Sequence, residues 1–521
     1  MTATLRQRGA LAMLMALVLA LFASAALVSA RPATQAPTAR EAVTQLALAR
    51  AKEALVAFAA SRPVDGIVGP GYLPCPDLDN DGWAESTCGS LSGDTGQERR
   101  LGRLPWKTLG LPDLRDADGE RLWYAVSSKQ KGLLNCEASP ECVDMGPESA
   151  LGTITVRDAA GNLLHDGTST SRLTPSLGGA LAVVIAPGAP IRRWGGGLQR
   201  RLCEAGQCAP TGQCLTEPPM KTANCAPENY LDRSPDTSLA AEDNAHFIDR
   251  NDRAGRPLNR DGFIHGPITD ARGTWVNDRL LAVTYDDVMP AVMRRVAEEV
   301  AACLKGYQRQ AGHAGRTPWP TPMCRAGSPD SALRWADARG VAFGRIPDTP
   351  FGVSQASSGG ALSRLWPAAE GCRLADNAGA TTSHWRFTWW SAWKRHVFYA
   401  VAGPGRPDGA VQPPCDSITC LVLSPPDVGA PSRPGHRVAV LVAGHPLRWD
   451  GFEQLRGPGA DGDARHWLEN SNAELRRLND NPPAPDCAPD PSLALGPGNP
   501  GANHLALDRR FAHNDIVVAI P

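Results

Sequence analysis

The 521-residue sequence has almost no net charge: 53 Lys and Arg stand against 54 Asp and Glu, a formal balance of −1. That excludes the overall basic field by which proteins gather nucleic acid, so no nucleic-acid partner is expected. No cysteine pair has the CxxC spacing of a zinc knuckle or a thioredoxin-like redox site. HExxH, GxSxG, the Walker loop and the dinucleotide fingerprint are all missing, and the 11 His are scattered, with His445 and His513 at strand ends. The expectation is a non-catalytic protein. The 52 Gly and 46 Pro follow no period, which excludes collagen-like and low-complexity architectures and leaves long loops and many turns.

The length is too great for one ordinary core, so two or three domains are expected. At the N-terminus, Arg6 and Arg8 precede 21 uncharged, mostly apolar residues, 10–30. At about 1.5 Å per residue such a run spans a bilayer core of roughly 30 Å. The basic residues before it place the N-terminus in the cytoplasm and the body outside. Two readings stay open: a retained transmembrane helix, or a secretory signal cut after Ala30. Ala12, Ala16, Ala20, Ala23 and Ala26 recur at three- and four-residue spacing, a smooth strip against which another helix can pack.

Fourteen cysteines, behind an export segment and mostly in Pro/Gly-rich sequence, read as disulfides. Close pairs are Cys136 with Cys142, Cys203 with Cys208, and Cys415 with Cys420. Cys136/Cys142 and Cys415/Cys420 each follow a similar strand and are expected to form equivalent local bridges.

Those strands belong to a repeat. The first half reads EAVTQLALARAKEALVAFAASR (41–62), LPCPD (73–77), GRLP (102–105), RLWYAVS (121–127), LAVVIAPGAPI (181–191) and VNDRLLAVTY (276–285). The second reads VMRRVAEEVAACLKGYQ (292–308), TPMC (321–324), GRIP (344–347), HVFYAVA (396–402), VAVLVAGHPL (438–447) and HNDIVVAIP (513–521). Six blocks in fixed order mark duplicated units. Each unit begins with a helix, the first with an apolar stripe of Val43, Leu46, Leu48, Leu55, Val56 and Phe58. Short runs rich in Val, Ile, Tyr and Trp follow, bounded by Gly, Pro or Asn-Asp, as strands are. The fold class expected is α+β, a helix packed on a small antiparallel sheet in each unit.

DLDNDGWAE places Asp77, Asp79 and Asp81 at alternate positions, then Gly82 for a sharp turn and Glu85 beyond. Alternating oxygen ligands about a tight turn suit Ca²⁺, a hard cation taking six to eight oxygens. Cys88 holds the twelfth position, where an EF-hand has Glu, so an Asp-rich turn closed by a Cys75–Cys88 bridge is the alternative. The second half has no counterpart around Cys324. RRWGGGLQRR (192–201) is a local basic tract, either a solvated loop or a contact for an acidic partner.

RQRGALAMLMALVLALF resembles the leader and first membrane segment of type IV pilin-like and type II secretion pseudopilin proteins. The likeness continues through ALARAKEALVAFAASR, CPDLDNDG, GRLPWKTLGLPDLRDADGERLWYAVS and the Asn-Asp strand near 277. It covers the first half well and the second through the degraded repeat. It implies cleavage between Gly9 and Ala10, with the apolar helix retained. Leu14 stands where pilins usually carry Glu, a departure shared with some minor, tip-type pilins. The organisation implied is a leader (1–9), a transmembrane helix (10–30), an amphipathic helix region (31–62), a first pilin-like periplasmic unit (63–290) and a diverged second (291–521). The role implied is a non-catalytic minor component of a type IV pilus or type II secretion-type assembly. It would be single-pass in a bacterial inner membrane and meet other pilin-like subunits through its N-terminal helix. The alternative is a cleaved, secreted or periplasmic binding or adhesion protein.

Overall fold

A computed structural model describes residues 35–61, 70–88, 97–127, 130, 151–169, 173, 178–201, 226–235, 243–246, 262–309, 313, 315–325, 337–338, 340–347, 393–407, 420–424, 433–449, 451–456, 462–469, 472–473, 475, 504–506 and 514–520. Two long helices, two four-stranded antiparallel sheets and several smaller sheets make up the described fold.

Helix α1 is Gln35–Ser61. Its buried residues are Thr44, Ala47, Leu48, Ala51, Leu55 and Ala59, a stripe at three- and four-residue spacing. This differs from the expected stripe. Val43 and Leu46 are 52% and 53% exposed, and Val56 and Phe58 are only half-buried. The helical period through Leu48 and Leu55 runs over Ala and Thr, whose small side chains let the helix lie close to its neighbours. Helix α2, Tyr285–Arg309, buries a wider face that includes Val288, Val292, Val296, Val300 and Leu304. Its first turn is capped by Asp287, whose Oδ2 accepts from Thr284 N and from Thr284 Oγ1, both at 2.7 Å.

Strands β1 (Leu101–Arg103), β2 (Trp123–Val126), β3 (Ala182–Ala186) and β4 (Arg279–Val283) pair in that order. Strands β5 (Phe343–Arg345), β6 (Val397–Val401), β7 (Val438–Val442) and β8 (Ile516–Ile520) do the same. Gly102, Tyr124, Val184 and Leu281 lie in one cross-sheet row, and Gly344, Tyr399, Val440 and Val518 lie in the corresponding row. A Cβ on Gly102 would stand 2.6 Å from Asp77 O, and one on Gly344 would stand 2.1 Å from Thr321 O. The glycine of each GRxP block is therefore fixed by the close approach of the preceding segment.

Smaller three-stranded sheets repeat as well. Residues 155–157 pair antiparallel with 163–165 and parallel with 262–264; residues 421–424 pair likewise with 433–436 and 504–506.

Both faces of each large sheet are covered, which is why its strands read as continuous apolar runs rather than alternating ones. On the inner faces, Tyr124, Val126 and Val184 join Tyr399, Val401 and Val440, together with both helices, in one core. Trp123, Ala125 and Ile185 face outward onto Tyr230, Leu231 and Phe263. Phe398, Ala400 and Leu441 face outward onto Trp467, Leu468 and Leu475. Each fully buried Val or Leu in these layers is worth about 1.5–3 kcal/mol of transfer free energy.

Three expectations are corrected. Among the described residues no helix is long and apolar enough to cross a membrane. The expected membrane segment, 10–30, lies outside those residues. A fold led by a transmembrane helix and a single-pass inner-membrane location are therefore withdrawn, leaving an α+β body. Second, α2 begins at Tyr285, directly after β4, so it starts before residue 291. Third, LPCPD and TPMC align differently. Tyr124 Oη donates to Pro74 O at 3.0 Å and Tyr399 Oη donates to Pro318 O, while Asp77 and Thr321 bridge Arg103 and Arg345. Cys75 thus corresponds to Trp319, and Cys324 falls beyond the matching stretch.

Candidate functional site

The chain leaving Pro74 is pinned to β1 by paired backbone hydrogen bonds between Asp77 and Arg103, at 3.0 and 2.7 Å. It then turns sharply through Asn80 and Gly82, with φ +62° and +91°. A Cβ at Gly82 would meet the Trp106 ring at 2.8 Å, so both the space and the conformation require glycine. Cys75 and Cys88 close the turn with a buried disulfide.

This turn brings Asp77, Asp79 and Asp81 together, with one oxygen of each within 4.8 Å of the others. Asp77 is buried, and Asp79 and Asp81 are half-buried. Asp77 accepts from Asp81 N at 3.2 Å and from Gly82 N at 2.7 Å. Asp79 Oδ1 accepts from Asp81 N at 3.1 Å, and Asp81 Oδ1 from Trp83 N at 2.7 Å. Burial, with Asp81 and Asp79 alongside, pushes the Asp77 carboxyl up to about 7, although the Gly82 and Asn80 amides favour its charge. Glu85 stands outside the group: its Oε1 accepts from Leu78 N at 3.4 Å, and burial raises its pKa. Arg121 donates to Asn80 Oδ1 at 2.9 Å, and Lys107 donates to Asp81 O. Oxygen donors at alternate positions are the set a Ca²⁺ ion takes, and its charge would relieve the repulsion among them.

A second arrangement occurs once in each unit. In the first, Gln199 Nε2 donates to Asp232 Oδ1 at 2.8 Å, and Asp232 Oδ2 accepts from Asn277 N at 2.7 Å. Asp278 Oδ2 accepts from Asp232 N and from Asn244 Nδ2, each at 2.8 Å. In the second, Gln454 Nε2 donates to Glu469 Oε1 at 3.1 Å, and Glu469 Oε2 accepts from Asn514 N at 3.3 Å. Asp515 Oδ2 accepts from Glu469 N at 3.0 Å and from Asn472 Nδ2 at 3.3 Å. Arg201 donates to Gln199 Oε1 at 2.9 Å and to Tyr230 O at 3.1 Å. Arg456 donates to Gln454 Oε1 and to Trp467 O, both at 3.2 Å. Burial raises the pKa of both acids in each pair, Asp232 and Asp515 to about 6. Paired carboxyls serve as acid and base in proteases. Here Asp232, Asp278 and Glu469 are fully buried and bonded to their own loops.

The sequence reading missed these networks. The signal was there: Arg-Trp-x4-Gln-x-Arg occurs at 193–201 and again at 448–456, followed by Tyr230-Leu231-Asp232 and Trp467-Leu468-Glu469. The basic tract at 192–201 accordingly divides. Arg193 is buried in an ion pair with Asp243, and Arg201 lies 3.2 Å from Glu120, leaving Arg192 and Arg200 exposed.

Of the other predicted site residues, Gly9, Ala10, Cys136, Cys142, Cys203, Cys208 and Cys415 lie outside the described residues. Cys420 is disulfide-bonded, as are Cys303 and Cys324, while Cys75–Cys88 is the one complete bridge among the described residues. No family model, curated protein or solved structure matches the chain. With no such match and no membrane-crossing helix among the described residues, the terms pilin and pseudopilin are left without support.

Proposed function

We propose that this chain is a non-catalytic binding or adhesion protein, secreted or periplasmic, whose contact loop is set by a calcium ion at Asp77, Asp79 and Asp81. The observation that carries the reading is the meeting of these three carboxylates in a turn closed by a disulfide. Oδ2 of Asp79 and of Asp81 accept no hydrogen bond among the described residues, so ligand capacity remains at the half-buried side of the group. A buried disulfide favours an oxidising compartment. The full burial of Asp232, Asp278 and Glu469, each bonded to its own loop, speaks for framework rather than catalysis.

Calorimetric titration of the oxidised protein with CaCl2, to about 10 mM as suits extracellular affinities, tests the ion. A binding isotherm is expected, lost in the Asp79→Asn/Asp81→Asn variant. Adhesion of the producing cells to a protein-coated surface, in CaCl2 or in EGTA, tests the role. No calcium uptake, or retention indifferent to both EGTA and the variant, defeats the reading.

A further inference from the structure

The two acid pairs share a geometry that reaches beyond the calcium loop and is independent of it. In each, one acid comes from the start of the last sheet strand (Asp278, Asp515) and the other from a loop crossing the outer face (Asp232, Glu469). In the first pair each acid accepts the other's backbone N–H, Asp278 from Asp232 N at 2.8 Å and Asp232 from Asp278 N at 3.2 Å; in the second, Asp515 accepts from Glu469 N at 3.0 Å and Glu469 from Asn514 N, next to Asp515, at 3.3 Å. The carboxyls are thus held side by side, with Asp232, Asp278 and Glu469 fully buried and Asp515 half-buried. Oδ1 of Asp278 and Oδ1 of Asp515, equivalent atoms of the two units, are enclosed and accept no hydrogen bond among the described residues. A doubly ionised pair in that setting carries like charges at close range and an unsolvated oxygen, the costliest state available to it.

The surrounding charges do not remove this cost. Arg201 faces the first pair, but Glu120 is its ion partner. Beyond Asn244 lie Asp243, Arg193, His246, Glu228 and Arg233, which pair among themselves, and Asp116 binds Gly188 N at 2.8 Å on the turn that Arg201 holds. Arg456 faces the second pair, and it also contacts Gly444 O at 2.8 Å and lies 3.4 Å from His396 Nδ1. Arg345 and Arg395 adjoin His396 in turn. Among the described residues one cation faces each pair, Arg201 or Arg456, and it is shared with other acceptors.

We propose that the Asp232–Asp278 and Glu469–Asp515 pairs are proton-operated clips, each holding a proton when its loop is closed and giving it up when the loop opens. The loops at 227–235 and 464–469 are then held tightest in mildly acidic surroundings and loosen as the medium turns alkaline. The sign follows from linkage. Both members of each pair bind protons more tightly folded than unfolded, so their stabilisation is complete below about pH 4 and is lost as pH rises through about 6 and beyond.

Hydrogen–deuterium exchange of peptides spanning the two loops, from pH 5 to 8 and corrected for intrinsic exchange, tests the proposal. In the unmodified protein the opening equilibrium should rise with pH, by up to about tenfold per pH unit for each proton released. Asp278→Asn and Asp515→Asn replace an ionisable acid by an amide of the same shape. Each should flatten the slope in its own unit and leave the other unit's slope intact. Protection that is constant or increases with pH in the unmodified protein overturns the proposal, as does a variant whose slope is unchanged. Where one variant does not fold, the unmodified protein decides through the 464–469 loop, which is remote in sequence from His246 and Asp77.

Discussion

In the first unit Asp77 faces Arg103 across a two-residue bridge; in the second, Thr321 faces Arg345 in the same way. Around these positions the units agree down to single hydrogen bonds: the tyrosine hydroxyl on a proline carbonyl, the Gln-Arg pair, and the Asn side chain bound to a carbonyl at 2.7 Å (Asn277 on Ala189, Asn514 on His445). Arg103 stacks 4.0 Å from the Tyr230 ring, and Arg345 stacks 4.5 Å from Trp467. The largest local difference between them lies in the segment just after the bridge. The first unit turns into a carboxylate loop under a disulfide, whereas the second enters a single 3-10 turn at Met323–Arg325. Since Thr serves where Asp77 does, the frame does not need the carboxylate cluster in order to form. The cluster is an addition to one of two equal scaffolds.

The sharpest test of that equality is also the most disruptive. Tyr124→Ala and Tyr399→Ala each empty a fully buried ring position at the centre of a sheet. Each should cost about 3–5 kcal/mol, as large aromatic truncations do, measured by urea denaturation. A cost in one unit less than half that in the other would break the equivalence. Next comes a change confined to the first unit. Replacing Cys75 and Cys88 by Ala opens a bridge with a sequence separation of 13 and should remove about 3 kcal/mol by the loop-entropy relation. Calcium-dependent stabilisation should be lost with it; its survival would show that the carboxylate loop holds its shape unaided.

Gly82→Ala is smaller, about 1–3 kcal/mol from left-handed backbone and overlap with Trp106. A melting temperature equal to that of the unmodified protein would contradict the turn described. The smallest effect is a pH dependence that only the first unit has. His246 lies 3.1 Å from Asp243 and 2.5 Å from Glu228, and those hydrogen bonds raise its pKa to about 9. Its charge therefore stabilises the fold fully below about 6.5, and the contribution disappears as pH rises through about 9. The side chain is 39% exposed, which screens the effect. The difference in urea midpoint between the unmodified protein and His246→Gln should shrink across that interval; a constant difference would refute it.

What the sequence disclosed was the part of the fold written in apolar letters. GRxP, the Tyr-Ala-Val runs, the valine runs and the Asn-Asp strands are contiguous, and each falls on one of the eight strands described. The helix stripe departs from the apolar pattern because the large residues Val43 and Leu46 face away from the core, which Ala47, Ala51 and Ala59 touch instead. The acid pairs were illegible for another reason. Asp232 and Asp278 are 46 residues apart and their partners sit on a third segment, so only a short, irregularly spaced polar signature records them. The carboxylate loop was readable because its ligands are local. The fate of Arg193 was not, because Asp243 lies 50 residues away.

Between β4 and α2 stands a single residue, Thr284. The helices α1 and α2 meet in the core between the sheets, and Lys52 reaches from one to Asp287 of the other at 2.7 Å. In effect the molecule is a dimer of itself, with the subunits spliced end to end. A dimer of separate chains comes apart on dilution. Here the partner's local concentration is set by the length of a tether, so the pairing holds however scarce the protein becomes. Each half is also free to change its surface without having to recognise itself.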